Sequence, residues 1–361
     1  FERVDARPAG RRIRRAGGRA VRERGNCGRR SAHGTVGAPL EARIGLGVAW
    51  LVVTEKEKDV LANRIESARA MHEEQLMDFG FTLMEHDWFS PREDAMVRGV
   101  TSGRVGCDLD VYGFPNISDD FKKLRYVLMP EESERYRWFG EKVSEAIEEV
   151  MLEVRPGNTE AEITGELTRR LWRHRIEQVG FQAGADERAY KYRHPIPTEK
   201  KIEKYLILNI MARKWGLTLT ITRLLHFGKV NPELRKQFDD NLFIENSMVA
   251  LTRPGAVAGD IFNKTCTLYN QFGYKDEWKK HHQGGSAGYE LRDYICTPYS
   301  KDVVQDGQAF CWNPSIDGTK TEDTFIVRGS GFEFITKPIH FPTTRHKIGD
   351  LEFTRPSILE L

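Results

Sequence analysis

Apolar residues along this chain change their spacing several times, and each change marks an element. Gly45–Val53 is a short apolar run that reads as a buried strand, with Asp59–Ala62 as its hairpin partner. Over Ile65–Asp78, Ala68, Met71 and Leu76 fall near one face, which predicts a helix. Arg104–Tyr112 (RVGCDLDVY) alternates apolar and polar residues as a half-buried strand does. Asp119–Leu128, with Ser118 able to cap it, predicts a short helix. A long amphipathic helix over Glu131–Val154 is stopped by the turn residues Arg155-Pro156-Gly157-Asn158. Thr159, followed three residues later by Glu162, is a capping box for a helix over about 160–179. Tyr205–Met211 and Leu217–Leu225 are β-rich runs joined by Arg213-Lys214-Trp215-Gly216, a hairpin. Thr324-Phe325-Ile326-Val327 predicts a core strand entered directly from the carboxylates Glu322 and Asp323.

One phrase recurs. Val154-Arg155-Pro156-Gly157 precedes a helix expected to end at Gly180-Phe181. Thr252-Arg253-Pro254-Gly255 likewise precedes a helix ending at Gly273-Tyr274. The echo suggests an internal duplication, two halves related by a pseudo-twofold with a site at their junction.

Composition narrows the class without naming a function. The 361 residues are enough for two domains. Hydrophobic content of 39%, charged content of 30% and a net charge of +2 describe a globular chain with no global pull toward nucleic acid or an acidic membrane. No apolar run reaches the roughly 20 residues of a membrane span. The five cysteines, Cys27, Cys107, Cys266, Cys296 and Cys311, form no C-x-x-C pair, which argues against a disulfide framework or a zinc-thiolate site and predicts a cytoplasmic setting. Residues 1–44 stand apart: they are rich in Arg and Gly and poor in large apolar side chains, so they cannot offset their ordering entropy. A nucleic-acid arm, a transit peptide and a shifted reading frame all fit that composition. The expectation is a disordered or aberrant segment with no functional assignment.

Two stretches carry candidate chemistry. His281–Asp323 is dense in His, Gly, Tyr, Arg and Asn, beyond what a core strand needs. Arg188–Thr198 (RAYKYRHPIPT) is a basic, aromatic, Pro-rich loop around His194. Because His281 and His282 are adjacent, an extended chain would point them to opposite faces, with His281 toward the pocket. Arg223 is as compatible with a structural role as with a catalytic one, and Asp323 reads as a local cap.

Taken together, the capped helix after an R-P-G turn, the His-Pro loop, the hairpin ending I-T-R, the second P-G turn with helix, the Gly-rich segment after histidine and the final G-x-x-x-E-D-T strand resemble the pita-bread family of methionine aminopeptidase, aminopeptidase P, prolidase and creatinase. The resemblance covers about Pro130–Val327. It implies an α/β (α+β) protein with a creatinase-like N-terminal domain over 45–129 and a pseudo-twofold pita-bread domain over 130–361. Relatives hold two metal ions with two aspartates, a histidine and two glutamates. Carried over, those positions fall on Asn209, Thr220, Gly285, Asn313 and Glu322, so only Glu322 keeps a ligand and no metal or other cofactor is expected.

The family precedent for chemistry without metal is creatinase, in which the histidine matching His194 works as acid and base. The resemblance therefore implies His194, Glu322 and His281 as catalytic residues. It implies Arg292, Tyr289, Asn313, Arg223 and His282 as substrate contacts. Arg193, Arg223 and Arg292 suggest a small polar, anionic ligand. The expected protein is a metal-independent hydrolase or lyase acting on a C–N bond, a homodimer without nucleic-acid or membrane partners. A non-catalytic binding protein on the same fold is the alternative, and a metal-dependent Xaa-Pro aminopeptidase the weaker one.

Overall fold

The computed structural model describes residues 24–28, 48–90, 92–329 and 331–361. They form two compact units, one ending at Leu124 and the other running from Arg125 to Leu361, against a boundary read from sequence at 129/130. The segment 1–44 lies outside the described residues except for Arg24–Gly28. Among the described residues no helix is long and apolar enough to cross a membrane.

The first unit carries a five-stranded sheet. Its strands are β1 (Arg24–Gly28), β2 (Ala49–Val53), β3 (Lys58–Asn63), β4 (Thr82–His86) and β5 (Arg104–Cys107), in the order β4-β3-β2-β1-β5. The β2–β3 hairpin is the one read from the apolar runs, with Leu51 opposite Val60. Three expected elements are shorter than predicted. The helix over 65–78 is a single wide turn at Arg69–Glu73, ended by Gln75 at φ 59°, a left-handed conformation that no helix continues through. The strand over 104–112 stops at Cys107, and the chain turns at Tyr112 and Gly113, both with positive φ. The helix over 119–128 is confined to Ser118–Lys123, because Val127 is drawn into a bridge with Gln308.

The second unit repeats one plan. Helix α1 (Pro130–Glu153) and α2 (Glu160–Trp172) lead into strands β6 (Glu177–Ala185), β7 (Tyr205–Lys214) and β8 (Leu217–His226), with a short helix α3 (Glu187–Lys191) after β6. Then α4 (Pro232–Leu251) and α5 (Ala258–Gln271) lead into β9 (Gly284–Ala287), β10 (Tyr294–Ile295), β11 (Ala309–Trp312), the short hairpin β12 (Ser315–Ile316) and β13 (Thr319–Lys320), β14 (Asp323–Arg328) and β15 (Gly331–Phe334). Both long helices open with Pro in the first turn, where its missing N–H costs nothing. Both R-P-G turns place their glycine left-handed, Gly157 at φ 97° and Gly255 at φ 90°. The capping box at Thr159 is present, with Thr159 Oγ1 accepting from Glu162 N at 3.1 Å.

The echo is imperfect in its helices. α5 ends near Gly273 as read, but α2 ends at Trp172, not at 179, since Arg175 takes φ 52°. Residues 177–185 instead pair antiparallel with β7, whose long, buried edge needs a partner for its backbone groups. Propensity gives way there to tertiary pairing.

The C-terminal hairpin β16 (Thr343–Ile348) and β17 (Leu351–Pro356) follows, and β18 (Leu359–Glu360) adds in parallel to β8. Two sheets result, β18-β8-β7-β6 and β10-β9-β11-β14-β15, each backed by its own pair of helices and its own apolar core. They meet where β8 runs beside β14: Thr222 N donates to the Glu322 carbonyl at 3.0 Å, and Thr324 Oγ1 donates to the Thr220 carbonyl at 3.0 Å.

A buried ion network fastens that seam. Arg223 Nε donates to Glu148 Oε1 at 2.9 Å, and its Nη1 to Asp323 Oδ1 at 3.1 Å. Arg355 Nη2 reaches Asp323 Oδ2 at 2.9 Å and Glu245 Oε1 at 2.8 Å. The second oxygen of Glu148 accepts from the backbone N–H groups of Ile339, His340 and Phe341. Arg223 is 1% exposed and bonds Glu148 and Asp323, which gives it a role in the seam. The reading of Asp323 as a local cap is corrected here, since its side chain bonds Arg223, Thr336 and Arg355 on other elements.

Replacing Arg223 with Met leaves Glu148 and Asp323 short of a buried cation. On the usual scale of breaking a buried pair, this costs about 3–5 kcal/mol. Urea unfolding of the Arg223→Met variant measures it, and an unchanged midpoint would remove the network from the account of stability.

Candidate active site

The loop bearing His194 is held from α2. Glu160, fully buried at the start of that helix, accepts from Ala185 N at 2.8 Å, Arg188 Nε at 3.0 Å, Thr198 N at 2.9 Å and Thr198 Oγ1 at 2.7 Å. One carboxylate thus closes both ends of the segment, and the Pro195 carbonyl accepts from Ala183 N on β6 at 2.9 Å. Sequence reading saw Glu160 only as the first residue of a capped helix. Its anionic fit to the helix N-terminus was visible, its reach to the loop was not.

His194 meets the His281–His282 segment. His194 Nε2 lies 2.7 Å from His281 Nε2, so one of these nitrogens carries the shared proton. His281 and His282 do not point to opposite faces as an extended chain would require. Their rings stack with centroids 4.5 Å apart and planes 24° apart. The backbone at His281 is extended, at φ −156° and ψ 144°, so the stacking comes from the side-chain rotamers, and Gln283 Nε2 donates to the His281 carbonyl at 2.6 Å. Burial is the main cause that lowers all three imidazoles, with Lys320 or Arg292 adding to it. His194 is shifted down, His281 far down, and His282 to about 4, so the neutral forms prevail near neutrality.

Glu322 stands at the mouth of β14, 1% exposed and ringed by donors. Its Oε1 accepts from Arg292 Nη2 at 2.9 Å. Its Oε2 accepts from Asn209 Nδ2 at 2.8 Å, Thr222 Oγ1 at 3.0 Å and Lys320 Nζ at 3.1 Å. Burial alone would raise its pKa; Lys320 and Arg292 outweigh that and hold it below the usual carboxylate range. Lys320, 5% exposed, also bonds Gln182 Oε1 at 3.0 Å and lines a small cavity with Gln182, Arg193, Pro195 and Ile207. Sequence reading missed Lys320. The signal was there: residues two apart on an extended chain share a face, so Lys320 and Glu322 were bound to meet.

Across β7 and β8 Asn209 faces Thr222 and Thr220 faces Met211, so the two carried-over positions, Asn209 and Thr220, lie on one face of the hairpin. Thr222, thirteen residues on, is therefore the partner of Asn209 at Glu322. Gly285 leaves no room for a side chain, since a Cβ there would lie 2.1 Å from the Tyr294 carbonyl oxygen.

Among the other expected contacts, Tyr289 is turned away, its hydroxyl bonded to Glu132 on α1. Asn313 is buried beside Gln283, its backbone N donating to the Gln283 carbonyl at 3.0 Å. Arg193 is held by Glu277 and by Asp317, the latter at 2.8 Å. All three arginines expected to draw an anion keep a buried nitrogen without a protein partner, Nε of Arg193 and Nη2 of Arg223 among them, and of the three it is Arg292 that also bonds Glu322. Its buried Nε has no protein partner, and neither do Asn209 Oδ1, Asn313 Oδ1, His281 Nδ1 and His282 Nδ1. Such unpaired groups gathered in one place are the mark of a ligand site.

The model of metallopeptidase family M24 matches residues 134–330. An uncharacterised peptidase of Staphylococcus aureus is 21% identical over 236 residues, 63% of this chain and 67% of that protein. The X-Pro aminopeptidase from Thermotoga maritima superposes with a TM-score of 0.74 at 15% identity, covering 93% of this chain and 95% of that one. The N-terminal domain of the FACT complex subunit SPT16 from chickpea (Cicer arietinum) does so at 0.62 and 13% identity, over 87% and 91%. At these identities the likeness to the solved structures concerns the fold.

Changing Lys320 to Met leaves Glu322 buried with one cation, and changing Glu322 to Gln at the same time removes the mismatch. Urea unfolding of both single variants and the double is expected to give a coupling above 1 kcal/mol, in the range found for residues that share a network. Additive single effects would show that Lys320 and Glu322 do not act as a pair.

Proposed function

This chain belongs to metallopeptidase family M24, and on that premise we propose that it is a hydrolase of a C–N bond in a small polar molecule that works without the family's pair of metal ions. The carrying observation is Glu322 between Arg292 and Lys320. Two side-chain cations take the carboxylate that stands at one of the family's metal-ligand positions.

The remaining donor set does not fit that metal pair. Asn209 offers Glu322 an N–H rather than an anionic oxygen, and Thr220, at the second aspartate position, carries no carboxylate. At Gly285 the backbone has closed over the place of an imidazole. Metal pairs of this kind need several carboxylates to balance their charge, and among the described residues Glu322 is the one carboxylate of that set, already matched by cations.

Acid–base work falls to His194. Its Nε2 is engaged by His281, which leaves Nδ1 for a ligand. When His194 donates through Nε2, Nδ1 presents a lone pair and can take a proton from attacking water; when His281 donates, Nδ1 carries a proton and can deliver it to the leaving nitrogen. Water oxygen then bonds the substrate carbon, the C–N bond breaks and the nitrogen leaves protonated. Arg292, through its free Nε, is the group that would hold a carboxylate on the substrate.

A second reading, a non-catalytic binding protein with the same pocket, draws on the fold likeness to the FACT subunit domain. A panel of amides, ureas, guanidines and X-Pro dipeptides separates the two. The expected outcome is turnover of one class that a chelator does not lower, reduced about 10²–10⁴-fold in His194→Ala. Hydrolysis of an X-Pro dipeptide that requires added Mn²⁺ or Co²⁺ would overturn the metal-free reading. Saturable binding without turnover across the panel would favour the binding protein.

A further inference from the structure

We propose that His194, His281 and His282 form a binding site for a single transition-metal ion of the zinc or nickel type, separate from the family's carboxylate positions. Each of the three offers a ring nitrogen, and these nitrogens all lie within 4.8 Å of one another. The ring centroids of His194 stand 4.7 Å from His281 and 6.1 Å from His282. The two Nε2 atoms 2.7 Å apart need something positive between them, either a proton or a metal ion. Zn–N bonds of about 2.0–2.1 Å set tetrahedral nitrogens roughly 3.3 Å apart. The pair must therefore open by about 0.6 Å, which the exposed His194 side chain can accommodate.

Burial supplies the second observation. His281 is 7% exposed, yet its Nδ1 has no protein partner, and neither has that of His282. A purely structural buried histidine normally has its nitrogens satisfied. These rings are committed to one another and to nothing else nearby. All three are held neutral, the form that coordinates metal. Of the nearby cations, Arg193 is matched by Glu277 and Asp317, while Lys320 and Arg292 share the carboxylate of Glu322, so an ion here meets one surplus positive charge that an anionic fourth ligand would offset.

The donor type fixes the selectivity. Imidazoles without carboxylate favour zinc, copper and nickel over magnesium, calcium and manganese. Three protein ligands with His194 at the solvent side leave a fourth position for water or a ligand atom. With Nε2 on an ion the ring proton of His194 sits on Nδ1, which then has no lone pair to take a proton, so an ion here and work by His194 as a base exclude each other.

The test uses the full chain, stripped with chelator and desalted, and titrated with Zn²⁺, Ni²⁺ and Mn²⁺ against a chromophoric chelator. One equivalent of Zn²⁺ and of Ni²⁺ is expected to bind, with Mn²⁺ at least 100-fold weaker, as the donor types require. His281→Gln and the exposed-loop variant His194→Ala should each weaken Zn²⁺ at least about 10-fold, while His340→Gln, at the surface cluster with Glu145 and Glu149, should leave it unchanged. His194→Ala covers the case in which His281→Gln fails to fold. Zinc affinity that survives His194→Ala, or Mn²⁺ binding as tight as Zn²⁺, would overturn the proposal. None of these readouts depends on turnover, so they stand apart from the test of the hydrolase.

Discussion

Two arginines at 1% exposure, Arg223 and Arg355, hold the seam on which everything else in the second unit depends. A buried charge is costly unless paired and hydrogen-bonded, and here each guanidinium bonds carboxylates from different elements. Glu148 comes from α1, Glu245 from α4, Asp323 from β14 and the arginines from β8 and β17. Three carboxylates face two arginines, so one negative charge is in excess. Burial pushes Glu245 up, with Arg355 opposing and Asp323 adding to the rise, which lets that carboxyl take up a proton and relieve the excess.

The same seam explains why the site lies where it does. Asp323 and Glu322 are neighbours on an extended chain, so their side chains point to opposite sides. Asp323 enters the structural network and Glu322 enters the pocket. Fixing one fixes the other, and the strand that closes the core also delivers the carboxylate. Across the seam, β7 and β8 bring Asn209 and Thr222 to the same oxygen, so hairpin register and inter-sheet contact are read out together at one atom.

The charges at the site do not cancel. Lys320 and Arg292 face the one carboxylate of Glu322, which leaves one positive charge in excess, while Arg193 is matched at the rim and burial keeps the three imidazoles neutral. An anionic ligand therefore has that surplus charge and the unpaired nitrogens of Arg193 and Arg292 to meet it.

The hairpin at Trp215-Gly216, the capping box at Thr159 and the paired R-P-G turns were legible because each is a local contract among residues a few positions apart. The role of His194 as a pocket residue was suggested by its loop, but the carboxylate that holds that loop, Glu160, came into view only with the fold. Lengths of helices were misjudged where the chain needed a strand to satisfy a buried edge, as at 177–185. By itself the sequence determined most element types, the turns and the order of the two halves. Only the tertiary structure decided that Thr222 faces Asn209, that Arg223 joins the seam and Tyr289 bonds Glu132, that Lys320 joins Glu322, and that two adjacent histidines stack on each other with a third against their edge. Those outcomes depend on strand register and on which buried charges find partners, and both are set by contacts between residues far apart in the chain.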